Sequence, residues 1–344
     1  MSLLLQMHVF FEGKVMGFRF FLCSLLLFNG FYALAEQQTI LVVESYHSAY
    51  TWDASYLAGL TSKLGGRFTI DHFEMDTKRI ATHEFQSQAD AAYKLIESSR
   101  PDLVVLGDDN AFIYLASRVD SLGIPIVYLG LNGDPYMMIN KDLTVATGVL
   151  ERPNLKQSIV VANRLMGDSL KKVLVLFDSG ETSLGAALEE FRDQGPYRLD
   201  NVAIVPKYIG KASEWENVVL ESKTKGYDAV FAGLYHTIKD DEGNYQDPEK
   251  LLAWTSEHSP LPLFGFWDFS IGANKAIGGY VLSGEKQGEA AGELILDILV
   301  KKVSPSSIKP VIGNEGKLMF SKSQLNKWQL TLPPEMAEEA LLVD

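Results

Sequence analysis

Cysteine is almost missing from this chain. The single one in 344 residues is Cys23, and it sits inside an apolar run near the N-terminus. Disulfides, thiolate catalysis and cysteine-based zinc sites are therefore excluded from the remainder. Nucleotide-binding signatures are missing too. There is no G-x-G-x-x-G and no phosphate loop with its lysine. Gly180-Glu181-Thr182-Ser183 is not the G-x-S-x-G of a serine hydrolase. The six histidines are scattered without metal-binding spacing. Asp240-Asp241-Glu242-Gly243-Asn244 lacks the alternating ligands of a calcium loop and reads as an exposed acidic turn. No cofactor and no metal site is expected, and the motifs do not describe an enzyme, although strand-end carboxylates leave lyase or hydrolase chemistry open. Basic residues are scarce: 31 Lys and Arg against 44 Asp and Glu give a net charge of -13. Nucleic acid and anionic lipid, which select for basic patches, are thereby excluded as partners.

Lys14 and Arg19 stand before or at the start of the apolar run at 20–28, which is followed by Asn29-Gly30 and Ala33-Leu34-Ala35. A basic flank, a short apolar stretch and an A-x-A end describe a secretory signal peptide over residues 1–35, cleaved before Glu36. The run is short for a membrane-spanning helix, which needs about 20 apolar residues. Phe20, Phe21 and Leu22 are too bulky to precede a lipoprotein cysteine. An exported chain without disulfides needs a sizeable core, which suits a periplasm.

Short apolar runs at 39–44, 68–73, 103–106, 125–129 and 145–150 read as strands. A second set follows at 172–177, 203–205, 229–232, 261–264 and 279–282. Amphipathic stretches at 84–98, 155–166, 184–194 and 288–302 lie between or after them. This alternation predicts parallel sheets covered on both faces. The break falls near residues 150–153, where Pro153 can open a helix. A late strand at 317–320, beyond a linker with Pro305 and Pro310, implies further crossings between lobes. The expected fold is α/β: two doubly wound parallel-sheet lobes joined by a three-strand hinge, with crossings near 150–152, 282–284 and 311–317. The first lobe takes 36–150 plus 284–310, with helix 288–302 packed on it. The second takes 151–283 plus 311–344.

Ligands of parallel sheets bind beyond the carboxyl ends of the strands. The first lobe offers Ser45, Tyr46, His47, Trp52, Asp108, Asp109 and Asn132 there, with Tyr50, Asn110 and Asp134 beside them. The second offers Asp178, Ser179, Thr182, Tyr235, Trp267 and Asp268, with Glu181, Ser183 and Phe266 nearby. This rim is aromatic and acidic and holds no Lys or Arg, the nearest basic residues being His47 and Arg152. It suits an amine, a quaternary ammonium or a stackable ring, and not a phosphate or dicarboxylate. A zwitterion stays open, its carboxylate held by Ser45, Ser179, Thr182 or Ser183 and the helix N-terminus after Gly180. The hydroxyls at 179–183 and the run Asp108-Asp109-Asn110 also read as helix caps, and Tyr46 and Phe266 as core aromatics. Trp267-Asp268 has no such competing role.

Several stretches then carry a resemblance. They are Glu44-Ser45-Tyr46-His47 with Tyr50-Thr51-Trp52, residues 102–109, Thr147-Gly148-Val149, Phe264-Gly265-Phe266-Trp267-Asp268, residues 278–284, Gln287-Gly288 with Ala290-Ala291, and residues 320–325 with Leu332-Pro333. As an ordered set these resemble ABC-transporter substrate-binding proteins of type I periplasmic-binding fold. In particular they resemble the uncharacterised ABC substrate-binding family, whose studied members include binders of aromatic amino acids. The resemblance implies a monomeric periplasmic protein that closes on a small molecule and presents it to an ABC permease. The Phe-Trp-Asp version also resembles sensor modules found beside histidine kinases and diguanylate cyclases. The alternative partner is thus a membrane sensor protein, which would read the same closure.

Overall fold

The computed structural model describes residues 37–188, 197–313 and 315–344. The expected signal peptide at 1–35 lies outside them, as does the end of the helix expected at 184–194. The first lobe begins with β1 (Thr39–Glu44), α1 (Thr51–Leu64), β2 (Thr69–Glu74), α2 (Phe85–Ser99) and β3 (Leu103–Gly107). It continues through α3 (Asp108–Ser121), β4 (Ile126–Leu131), the short α4 (Pro135–Ile139) and β5 (Ala146–Glu151). The chain then crosses into α5 (Leu155–Leu165), β6 (Lys172–Asp178), α6 (Glu181–Leu188), β7 (Tyr197–Leu199), β8 (Val202–Ile209) and α7 (Ala212–Glu221). β9 (Ala229–Ala232), α8 (Pro248–His258), β10 (Leu263–Gly265) and β11 (Gly278–Leu282) follow. The return path is α9 (Gly284–Leu299), β12 (Val311–Gly313), β13 (Gly316–Ser321), α10 (Lys322–Trp328), α11 (Pro334–Ala337) and β14 (Leu341–Val343).

The first sheet has the order β12-β5-β4-β3-β1-β2, the second β10-β9-β6-β8-β7. Strands β1, β3, β4, β6 and β9 are buried on both faces, as a continuous apolar run requires, whereas β8 is only partly buried. In β1, Ile40 and Val42 enter one core and Leu41 and Val43 the other. Helix α9 lies against α1 although more than 200 residues separate them. Glycine permits this: a Cβ at Gly288 would collide with the backbone of Tyr56 and Leu60. The two helix backbones therefore meet almost directly, and the α9 residues Leu294 and Ile295 are buried in the core.

Two expectations need correction. Residues 311–313, assigned from sequence to the second lobe, form β12 and pair in parallel with β5 of the first sheet. Gln287 of α9 holds them there through a 2.6 Å bond from its side-chain amide to the Gly313 carbonyl. Residues 278–282 do not extend the second sheet. They pair antiparallel with β13 in a separate three-stranded sheet that ends in β14. Gly278 makes the turn-away possible, with φ at 138°, a region closed to side chains with a Cβ. No helix among the described residues is long and apolar enough to cross a membrane.

Candidate functional site

The carboxyl ends of β1, β3 and β5 face those of β6 and the segments after β9 and β10 across a cavity of about 410 Å³. Tyr46, Trp52, Asp108, Asn132, Asp178, Ser179, Thr182 and Trp267 line it, as do Tyr50, Asn110 and Ser183.

On the first-lobe wall, Tyr46 donates its hydroxyl to Asp108 Oδ1 at 2.7 Å. Asp108 opens α3 with φ at 70°, an unusual conformation for a residue with a side chain. The same Oδ1 accepts from the Asp109 N–H at 2.9 Å, a local bond that helps hold it there. Glu151 ends β5 and is buried. Its Oε1 accepts from the Trp267 indole N–H at 2.7 Å. Asp108 Oδ2 and Glu151 Oε2 both lie beside Gly130. Burial pushes the Glu151 carboxyl well above the usual range, and the nearby Asp108 adds to this. Asp108 is also raised by burial, with Lys78 opposing.

Lys78 was not foreseen. Its ammonium stands 4.1 Å from the ring centres of both Tyr46 and Tyr50 and donates to Tyr50 Oη at 2.9 Å. The loop that carries it is pinned to β1: Thr77 bonds the Ser45 carbonyl through both N–H (3.0 Å) and Oγ1 (2.8 Å). Burial lowers the Lys78 pKa against the pull of Asp108, Asp53, Asp178 and Glu151. Lys239 also lines the cavity. The rim free of Lys and Arg, expected from sequence, is therefore corrected. The reading omitted the loop after β2, a strand whose mixed burial hid its importance.

On the second-lobe wall, Asp178 accepts from Gly180 N–H (3.0 Å), Ser183 Oγ (2.5 Å) and Thr237 N–H (2.9 Å). Its oxygens brace two loops. His236 stacks on Tyr235 at 4.6 Å and reaches Tyr50 Oη with Nε2 at 2.9 Å. Phe269 stacks on Trp267 and meets Trp52 edge-on.

Five of the principal strand-end candidates do not line the cavity, nor do Asp134 and Phe266 beside them. Ser45 is buried in the frame, donating to the Gly107 carbonyl (2.6 Å) and accepting from Ala111 N–H (2.8 Å). Asp109 sits behind the wall, where it accepts from Asn132 N–H (3.0 Å) and from Thr182 Oγ1 of the opposite lobe (3.3 Å). Its carboxyl is pushed up to about 7 by burial and by Asp108. Tyr235 supports His236 from behind, and His47 flanks Tyr50. Asp268 turns away to Lys317 at 3.3 Å. Besides Lys78, the reading missed Glu151, His236 and Phe269 as lining groups. Glu151 and His236 lie at or just beyond the ends of β5 and β9, so the same strand-end rule reaches them. Arg152 donates to the carbonyls of Leu131, Asn132 and Glu151, bracing the crossing. Among the described residues no group of three His, Cys, Asp or Glu could hold a metal.

No protein-family model and no curated protein matches the chain. Solved structures do. A Streptococcus pneumonia ABC domain in complex with L-Trp aligns at TM-score 0.64 and 19% identity, covering 90% of this chain and 100% of that one. The chain has the type I periplasmic-binding fold. A conserved domain protein of Vibrio cholerae aligns at TM-score 0.61 and 15% identity, over the same shares of the two chains. The ligand-free, open form of a Clostridium difficile substrate-binding protein with adhesive properties aligns at 0.59 and 15%, again over 90% and 100%. The cavity lies between the two sheets, where the aromatic and acidic residues above converge.

Proposed function

We propose that this chain is an exported solute-binding protein, not an enzyme, that closes on a small zwitterion bearing a ring and delivers it to an ABC permease. The observation that carries this reading is the opposition of Lys78 to Asp108 and Glu151 within aromatic walls. Lys78 makes a single hydrogen bond among the described residues, to Tyr50, which leaves donors for an anionic group. Asp108 and Glu151 are buried carboxylates with raised pKa values, and a ligand ammonium would supply the charge partner they lack. Tyr46, Tyr50, Trp52, Trp267 and Phe269 offer faces for a ring. A cavity of about 410 Å³ falls in the usual range for small-molecule sites. The L-Trp of the Streptococcus neighbour is a ligand of this kind. Export through residues 1–35 would place the protein in the periplasm.

Thermal-shift and calorimetric titration with L-tryptophan, tryptamine and indole-3-acetate tests the reading within a wider panel of amino acids, nucleosides and sugars. Selective binding to the native state raises the melting temperature. Compounds carrying both charges should raise it most, and analogues lacking either group should bind at least about tenfold more weakly and raise it less. Preference for a neutral polyol or a simple amine would refute the proposal.

A further inference from the structure

Tyr50 of the first lobe and His236 of the second meet across the cleft, Oη to Nε2, at 2.9 Å. Lys78 donates to the same tyrosine oxygen. An ammonium has hydrogens to give and no lone pair to receive one. Tyr50 therefore accepts from Lys78 and turns its own proton towards His236. The Lys78 donor favours Nε2 as the bare ring nitrogen and Nδ1 as the protonated one, even though Nδ1 is buried without a partner among the described residues. The opposite tautomer would aim two donors at Tyr50 and leave its hydroxyl proton without an acceptor. The ring is held in place by stacking on Tyr235 and by edge contacts with Tyr50 (5.4 Å) and Phe269 (5.3 Å).

We propose that Lys78, Tyr50 and His236 form a one-directional relay that latches the two lobes together, with Tyr50 and His236 as positioning residues that act only while His236 is neutral. The proposal rests on the two-lobed reading but on no particular ligand. A protonated imidazole would turn Nε2–H onto an oxygen that already faces the Lys78 donor. The charged and titratable groups around His236 are Tyr50 and Lys78 across the cleft, Tyr235 beside it, and Asp178, Lys239 and Lys275 in its own lobe. Burial, then Lys78, then Lys275 push its pKa well below the ordinary value.

In an opened form the ring meets water and returns towards about 6.5. The latch contribution is thus complete above that pH. It weakens below it by up to about tenfold per pH unit, because opening takes up a proton. Asp109 works in the other direction. Its carboxyl is raised to about 7, so its share of closure grows as pH falls. A test must therefore isolate His236.

The ligand-free full chain is measured by small-angle scattering for closure and by nitrogen NMR for the His236 tautomer, with the signal assigned by its loss in His236→Gln. Wild-type protein at pH 7.5 should show the Nδ1–H pattern. Tyr50→Phe should convert it to the mixed pattern of a free histidine and lower the closed-to-open ratio several-fold. The glutamine oxygen can still accept from Tyr50, so His236→Gln should stay closed. Between pH 6.5 and 5.5 the wild-type ratio should fall about fivefold relative to that variant. An Nε2–H signature in wild-type protein overturns the proposal, whatever the Tyr50 variant does. Scattering of Tyr50→Phe identical to wild type also overturns it. A ligand screen without hits would leave these readouts unaffected.

Discussion

Replacing Lys78 by methionine separates the zwitterion reading from an amine reading. Methionine keeps an apolar stem against Tyr46 and Tyr50 and removes the charge together with the hydrogen bond to Tyr50. Lys78 makes no ion pair among the described residues, so the empty protein should melt within a few degrees of wild type. A charge-assisted hydrogen bond to a ligand carboxylate contributes about 1.5–3 kcal/mol. Its loss should weaken L-tryptophan binding by roughly 10- to 150-fold. Tryptamine has no such group. Two further effects act on the ammonium of either compound. The substitution removes a repelling charge, and it lets Asp108 and Glu151 hold protons more firmly, since Lys78 opposes their raised pKa values. These cancel when the two compounds are compared by calorimetry on both proteins. The remaining coupling should be about 1.5–3 kcal/mol. A coupling near zero would show that Lys78 does not receive the carboxylate, whatever happened to either affinity alone.

Glu151→Gln keeps an acceptor for the Trp267 indole and loses the charge, so ammonium-bearing ligands should bind about tenfold less tightly by calorimetry at pH 7.5. Because its folded pKa is raised, wild-type Glu151 costs stability as pH rises above the ordinary carboxylate range. The variant should therefore melt higher at pH 8, and its advantage should vanish towards pH 4.5. Asp109→Asn should follow the same sign with a gain at pH 8 on the order of 2–4 kcal/mol before the lost Asn132 or Thr182 bond is subtracted, read from denaturant melts at pH 5 and 8. Asp268→Asn should leave ligand affinity within about twofold, since that carboxylate faces Lys317 rather than the cavity.

The fold was legible because its signal is redundant. Most central strands are short apolar runs, and β1 and β9 fall at the boundaries the sequence suggests. What escaped was where late segments pair. Residues 311–313 carry no pattern that favours one sheet over another, and their place is fixed by Gln287, a contact across 26 positions. Residues 279–282 read in sequence as the last strand of the second sheet, and the conformation at Gly278 lets them turn to β13.

The site was legible in its aromatics and less so in its charges. Strand-end position finds Tyr46, Trp52, Asp108 and Trp267, since a parallel sheet exposes those positions by construction. It does not say which way a side chain turns once the strand has ended. Ser45 and Tyr46 are adjacent, yet one stitches β3 to α3 and the other faces the ligand space. Trp267 and Asp268 are adjacent, yet the tryptophan reaches Glu151 and the aspartate reaches Lys317. Such partners come from distant parts of the chain, and partner choice decides whether a carboxylate is spent on the frame or left for a ligand. Lys78 makes the same point with the opposite sign. Four residues past β2 it reads as an ordinary surface lysine, and only the Thr77 bonds to Ser45 bring it over two tyrosine rings. An acidic, aromatic rim taken alone selects cations. On the function proposed above, one tethered ammonium inside it turns that preference towards molecules that carry both charges.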